Sequence, residues 1–431
     1  MRRRVVVTGA GSVSPFGVGV EAFREGLLAG RSTCGPIRSF DAEGLPTDFA
    51  CEVPPSYDAA EFVAHPKILK TMSRATQFGI GAARMAWQES GLDGLDPHEA
   101  GVAVGVGGIG CWDLEDNAEM IAVALDQIRD APAQGSVEPK TWVRLALARL
   151  NPISLLRCLP NMAAAHIAIS LGVRGESCTV ATTCTSATQA IGEAFRLVRG
   201  GAATAMIAGG CDAGVNPTAI GGFSALGVLS RRSEDPARAC RPFDRDRDGF
   251  VMGEGAGFLV LEEREHALGR GAKILAEVAG FAGTNDGYRL TDEDPEGRSS
   301  AVAMRRVLAD AGIGPEEVDY INAHGTGTRM NDATEARVLR EIFGTRTPVS
   351  STKSMIGHGL AAAGAHEALA CLVAIDAQML PPTINLENPD PACDLCHVPA
   401  EARGHPVRVV LKNSSGFGGQ NACLVFRRHE G

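Results

Sequence analysis

Short apolar runs alternate with longer stretches of helical period along almost the whole 431-residue chain. That alternation constrains the fold more than any other feature. A strand buries both faces only when helices cover it, so repeated strand–helix units imply a layered α/β protein. Strands are predicted over residues 4–8, 101–106, 176–182, 203–209 and 255–262, with helices over 20–29, 76–90 and 186–198. Gly30, Gly91 and the pair Gly200-Gly201 follow those helices, where a left-handed residue can close the last turn. A basic, Gly-containing stretch over 264–273 then interrupts the pattern, and the alternation restarts. Its helices are predicted at 301–311, 333–343 and 364–377, and its strands at 318–323, 349–351, 407–411 and 422–426. We therefore expect two rounds of one architecture, over residues 1–266 and 267–431. Residues 118–150 depart from the pattern: an amphipathic helix, a break at Ala131-Pro132 and Gly135-Ser136, then more helix. They are expected to form a helical excursion inserted between core elements.

Composition narrows the function classes. At 45% hydrophobic and 21% charged residues the chain can bury a large core. Its 51 acidic against 41 basic residues, a formal charge of -10, make it a poor candidate for binding nucleic acid, which needs a basic face, although a local basic patch for an acidic protein partner is still open to it. The clusters Arg2-Arg3-Arg4 and Arg231-Arg232 read as solvated surface. Three apolar residues after the first arginines are too few for a signal-peptide core. The most apolar stretch, 360–380, is broken by His366, Glu367 and Asp376, so no membrane span is expected. The expected location is cytoplasmic, with the 12 cysteines reduced.

Three short patterns suggest chemistry that their context does not support. Gly9-Ala10-Gly11 follows a strand, yet Ser14 stands where a dinucleotide loop needs its third glycine and Pro15 obstructs the helix. Asp244 to Gly249 copies the start of a calcium loop, but Gly255 occupies the place of the closing glutamate. A turn held by local salt bridges is the better reading. Cys393-Asp394-Leu395-Cys396-His397 spells a haem-attachment pattern without an export signal or a second ligand pair. No metal site is expected.

Cys184 is the informative cysteine. In SCTVATTCTSATQ it lies where an apolar strand turns into a helix. Unpaired N–H groups and the positive end of the helix dipole favour a thiolate there, and a sharp strand-to-helix turn presents the side chain. His324, in AHGTGT, directly follows a strand; His358 precedes a helix of small residues, with Lys353 five positions upstream. A lone histidine is usually structural. Two in Gly-rich loops at strand ends, beside a poised cysteine, point to nucleophilic catalysis.

The blocks VATTCTSA, RPFDRDRDGFVMGEGAG, NAHGTGT, STKSMIGHGLAAAGAHEA, PPTINLENPDPACDL and NSSGFGGQNA occur in that order. Together they resemble the β-ketoacyl–acyl carrier protein synthases, most closely the elongating type II enzymes and the ketosynthases of type II polyketide pathways. The resemblance implies a thiolase fold, two similar halves in a five-layer α-β-α-β-α core, and usually a dimer. It implies that Cys184 accepts the acyl chain, and that His324 and His358 bind the malonyl thioester carbonyl and assist decarboxylation. Lys353 and Glu367 match a supporting charged pair, Phe417 a gate beside the cysteine, and Thr326 and Thr328 the hydroxyls that hold a phosphopantetheine arm. Each has a plainer alternative: an ion pair, core packing, and satisfaction of a Gly-rich turn. Trp112 would lie near the acyl pocket.

The implied partner is acyl carrier protein, which brings the phosphopantetheine; no other cofactor is implied. The implied assembly is a homodimer, or a heterodimer with a chain-length factor. Such factors lack the cysteine, which is present here. A degradative thiolase would need a second catalytic cysteine, and Cys423 falls in a predicted strand. Two residues depart from the family pattern: Arg329, after HGTGT, and Ala361, where glycine is common.

Overall fold

The computed structural model describes residues 3–108 and 153–430, with positions 122, 126, 140, 143 and 144 between them. Trp112 and almost all of the expected excursion at 118–150 lie outside the described residues.

The first round contains β1 (Val5–Ser14), α1 (Arg74–Ser90), β2 (Ala100–Val106), α2 (Met162–Leu171), β3 (Ser177–Val180), α3 (Ser186–Gly200), β4 (Ala205–Asp212) and β5 (Gly255–Glu263). The second contains β6 (Ala276–Asn285), α4 (Arg298–Ala311), β7 (Tyr320–Asn322), α5 (Arg329–Phe343), β8 (Pro348–Ser350), α6 (Ala363–Ala377), β9 (Val409–Gly416) and β10 (Gln420–Arg427). Strands run in the order β3-β2-β4-β5-β1 in the first round and β8-β7-β9-β10-β6 in the second. Taken in chain order within each round, the two arrangements are the same. Each has parallel strands at its outer end and antiparallel strands toward the middle, where β1 pairs with β6 through Val5, Val6 and Val7. The strands form one continuous sheet through the β1–β6 pairing; α1 and α2 cover its first half, α4 covers the second with α5 beside it, and α3 and α6 pack together between the halves. The architecture is five-layered, α-β-α-β-α.

Several predicted elements differ from those observed. β1 is ten residues long and buried throughout, because it continues through Gly9-Ala10-Gly11. A Cβ on Gly9 would stand 2.1 Å from the Ala86 carbonyl oxygen, and one on Gly11 2.0 Å from that of Ala82. These glycines let α1 lie against the strand. β6 was not predicted, because its glycines break the β-rich run; a Cβ on Gly280 would stand 2.8 Å from the Val307 carbonyl oxygen of α4. The stretch read as an interruption includes a helix, Arg264–Gly269, whose N-terminus the Glu263 carboxylate caps on His266 N–H. The expected division between residues 266 and 267 falls inside that helix. The Asp244–Gly249 turn is not held only locally. Arg247 is buried and pairs with Asp390 at 2.6 Å and Asp332 at 3.5 Å, joining segments far apart in the chain.

Helix α6 is buried from Ala363 through Ile375, its apolar residues spread around the axis and its His366 and Glu367 bonded within the fold. The segment Leu360–Ala377 is long and apolar enough to cross a membrane, but 89% of it is buried within the fold. Its contact with α3 depends on Gly364, where a Cβ would stand 2.2 Å from Thr188 Oγ1 and 2.8 Å from Thr188 N. Gly364→Ala is expected to destabilise the protein by ~2 kcal/mol through overpacking. Urea unfolding monitored beside the unmodified chain checks this; equal midpoints would contradict the close crossing.

Candidate active site

Cys184 sits in the short helical turn Thr183–Thr185 that leads into α3. Thr183 takes a positive φ of 52°, an uncommon conformation for a residue branched at Cβ. Side-chain bonds hold that turn: Thr183 Oγ1 donates to the Phe417 carbonyl at 3.0 Å, and Thr182 N–H donates to Ser186 Oγ at 2.9 Å. Gly416 packs on the same turn so closely that a Cβ there would stand 3.2 Å from the Cys184 nitrogen. The β9–β10 connection thus brings its backbone beside the nucleophile candidate.

His324 follows β7. Its N–H and that of Gly325 both donate to the Glu335 carboxylate of α5 at 2.7 Å, and Asn413 Nδ2 donates to the same group at 2.8 Å. His358 is placed by a backbone ladder: its N–H donates to the Val251 carbonyl at 2.7 Å and its carbonyl accepts from Gly253 N–H at 2.9 Å. The imidazoles meet edge to face with centroids 5.4 Å apart, and Phe250 packs against His358 at 5.2 Å.

Lys353 Nζ makes three bonds: to His324 Nδ1 at 3.1 Å, to the His324 carbonyl at 2.6 Å, and to the Glu367 carboxylate. An ammonium has three hydrogens, so its donor capacity is filled. Because Nδ1 accepts, the ring proton of His324 is on Nε2. Leu360 N–H donates to His358 Nδ1 at 3.2 Å and sets the same tautomer there. Cys184 Sγ and one nitrogen from each ring converge within 4.8 Å of one another. All three residues line a cavity of about 600 Å³. Such a donor set could hold a metal ion, although the neighbouring ammonium charge opposes a dication.

The family described as "Beta-ketoacyl synthase, N-terminal domain" matches residues 2–267, and "Beta-ketoacyl synthase, C-terminal domain" matches residues 275–387. The chain belongs to the β-ketoacyl synthases. It is 43% identical to the 3-oxoacyl-[acyl-carrier-protein] synthase 2 of Synechocystis sp. over 435 residues, covering 100% of this chain and 99% of that one. The corresponding synthase of Coxiella burnetii is 42% identical over 432 residues, with 99% of each chain covered. Among solved structures, the ishigamide ketosynthase/chain length factor superposes with a TM-score of 0.88 at 37% identity, covering 100% of both chains. A type II polyketide synthase acyl-carrier protein in complex with its ketosynthase bound to the hexaketide gives 0.86 at 35% identity, again over 100% of both. The fold is the thiolase fold of those ketosynthases.

Three β-ketoacyl synthase site features were not read from the sequence. Lys412 of β9 places Nζ 2.9 Å from Glu367 Oε2 and also bonds Thr188 and Ser414, so one buried carboxylate faces two ammonium groups. Its only signal was a lysine closing an apolar strand, which reads as a strand end. Glu335 looks like one more polar residue on α5 until its two backbone partners are seen. Asp212 accepts from Ala361 N–H at 3.1 Å and Ala213 N–H at 2.9 Å at the cavity wall, and burial pushes its carboxyl up to about 7.

The other expected residues are close by. Thr326 and Thr328 line the cavity with their hydroxyls 2.9 Å apart, and Phe417 lines it with its ring 6.3 Å from Phe223. Arg329 begins α5, is exposed and also lines the cavity. Cys393 is buried, and Cys423 lies buried in β10.

One electrostatic expectation is corrected. The start of α3 does not hold the sulfur ionised at rest. Burial pushes the Cys184 thiol up to about 11, against the opposing pull of Lys353 and a backbone hydrogen bond at Phe417. Burial, then the charge on Lys353, push His324 and His358 well below the usual histidine range, so both are neutral at neutral pH. The rate of Cys184 alkylation by iodoacetamide should therefore keep rising with pH toward about 11. Lys353→Ala should slow it several-fold at any fixed pH well below that value, since the charge that lowers the thiol is gone. A rate already flat above neutral pH would mean an ionised resting sulfur.

Proposed function

We propose that this chain catalyses decarboxylative Claisen condensation, with Cys184, His324 and His358 as its catalytic residues. The observation that carries the assignment is the convergence of one sulfur and two neutral imidazoles at a single cavity. It is an acyltransferase of fatty acid or type II polyketide chain elongation, and it works with acyl carrier protein.

In the first half-reaction Cys184 Sγ attacks the acyl thioester of the carrier. The oxyanion forms beside the backbone N–H groups of Cys184 and Phe417, and the departing carrier thiol takes the cysteine proton. Lys353 and the backbone bond at Phe417 lower the barrier to ionisation that burial raises. In the second half-reaction the Nε2–H groups of His324 and His358 donate to the thioester oxygen of malonyl carrier. Loss of carbon dioxide leaves negative charge on that oxygen, where neutral donors stabilise it as it develops. The enolate carbon then attacks the Cys184 thioester, forming the new carbon–carbon bond and releasing the sulfur. Glu367 and Lys353 fix the His324 tautomer, Phe417 gates the nucleophile, and Thr326 and Thr328 receive the phosphopantetheine arm at the cavity mouth.

The scheme uses the protein's own side chains and backbone N–H groups, and phosphopantetheine arrives on the carrier protein. For assembly we favour a dimer. β3 is the end strand of its sheet among the described residues and is only partly buried. An open edge is suited to pairing with a second chain. A heterodimer with a chain-length factor is the alternative, favoured by the likeness to the ishigamide pair. A cytoplasmic location completes the reading, supported by the burial of the apolar segment Leu360–Ala377.

Cys184→Ala should abolish acyl-enzyme formation, read as intact mass after incubation with acyl carriers of graded length, while leaving the fold intact. A variant that still elongates refutes the assignment. His324→Ala or His358→Ala should lower malonyl decarboxylation by roughly 10²–10³-fold and leave acyl transfer to Cys184 much less affected. Equal loss of both half-reactions would contradict the division of labour. Exhaustive dialysis against a chelator should leave the condensation rate unchanged; a loss restored by a metal ion would contradict the side-chain scheme.

A further inference from the structure

A second group of thiols lies behind the catalytic segment, outside the cavity. Cys34, Cys51 and Cys240 share a small apolar cluster with Phe49, Ala239 and Val251. The chain around Cys34 and Cys51 forms a two-stranded antiparallel ladder with Gly35 opposite Ala50 and Pro36 opposite Phe49. Extending that register by one residue puts Cys34 directly opposite Cys51. Ile37 N–H donates to the Asp48 carbonyl at 2.9 Å, so the pair 37/48 is hydrogen-bonded and the alternation makes 34/51 a non-hydrogen-bonded pair. In agreement, Cys51 N–H donates outward to the Met252 carbonyl at 2.8 Å. Facing residues of this type have Cα atoms about 4.5 Å apart, inside the span of about 4.4–6.8 Å that a disulfide bridges. The two sulfurs are already 2.6 Å apart, and both cysteines are free.

We propose that Cys34 and Cys51 form a modification site, a cross-strand dithiol that a peroxide oxidises to a disulfide. Cys34 is 8% exposed and Cys51 fully buried, so the oxidant enters at Cys34. Its sulfur attacks hydrogen peroxide; an S–O bond forms, the O–O bond breaks, and one water leaves. The Cys51 sulfur then attacks that of Cys34; the S–S bond forms, the S–O bond breaks, and the departing hydroxide takes the Cys51 proton as a second water. Two thiols lose two electrons and one peroxide becomes two waters. Cys240 is not the resolving partner, because its S–H is engaged with the Lys353 carbonyl at 2.8 Å.

The ladder is tied to the catalytic segment from both strands. Thr33, adjacent to Cys34, donates its N–H and its hydroxyl to the Met355 carbonyl at 2.9 and 2.8 Å. Met252, the acceptor of Cys51 N–H, forms a parallel bridge with His358. Oxidation at the pair is therefore transmitted to the loop that carries Lys353 and His358.

The test uses the full-length Cys184→Ala chain, treated while folded with graded hydrogen peroxide, then alkylated under denaturing conditions and mapped by peptide mass. A cross-linked species joining the Cys34 and Cys51 peptides, removed by dithiothreitol and absent after Cys34→Ser, is the expected result. Both thiols remaining alkylatable at doses that oxidise Cys184 in the unmodified chain would overturn the site, as would a cross-link from either one to Cys240. In a second arm, malonyl-carrier decarboxylation by the cross-linked Cys184→Ala protein should fall several-fold and return with dithiothreitol. That arm alone rests on the assignment of decarboxylation to the histidines. An unchanged rate in the cross-linked protein would refute the transmission while leaving the modification site standing, and no decarboxylation before peroxide would instead count against the histidine assignment.

Discussion

The site depends on one ammonium group whose three hydrogens are all committed. Lys353 Nζ bonds the ring of His324, the carbonyl of His324 and the carboxylate of Glu367. It therefore ties the loop after β7 to helix α6 and sets a histidine tautomer in the same act. Buried charge without partners is strongly unfavourable, and here the ammonium is fully bonded. Glu335 works from the other side, holding the His324 and Gly325 N–H groups. The imidazole is fixed through its backbone and its ring together.

The same lysine shapes the charge of the site. Glu367 faces both Lys353 and Lys412, so the buried cluster carries excess positive charge beside the cavity. Burial first, and then that positive charge, keep the histidines neutral, so each can donate its Nε2–H to a developing enolate, and Lys353 pulls the thiol down against burial. Burial and the charge on Lys353 act on all three reactive groups, and neither histidine needs to act as a strong base. The resting sulfur is a protonated thiol, and ionisation belongs to the reaction.

Close backbone packing makes such an arrangement possible. Gly364 lets α6 cross α3, and Gly416 lets the β9–β10 connection rest on the cysteine turn. Each contact brings groups from the two rounds of the fold to one point. The Cys34–Cys51 ladder lies on the reverse of this assembly, bonded to the residues that position His358. The catalytic segment is held from the cavity side by charge and from behind by a pair of short strands.

Much of this was legible in the sequence. The alternation of apolar runs and helical stretches determined the α/β layering, because periodicity reflects which faces must be buried. The motifs around Cys184, His324 and His358 marked strand ends with glycines and reactive side chains. The sequence did not reveal β6, whose glycines serve a helix on the far side of the sheet and so look like a broken strand. It did not reveal Lys412 or Glu335, whose roles come from partners 45 and 11 residues away (Glu367 and His324). Nor did it show that the sulfur at the start of α3 is protonated: local position argued for a thiolate, and only the folded chain supplies the burial that outweighs it. Patterns of burial are local and can be read along a chain, whereas charges and orphan hydrogens are satisfied across space, so tertiary structure alone decided the electrostatics.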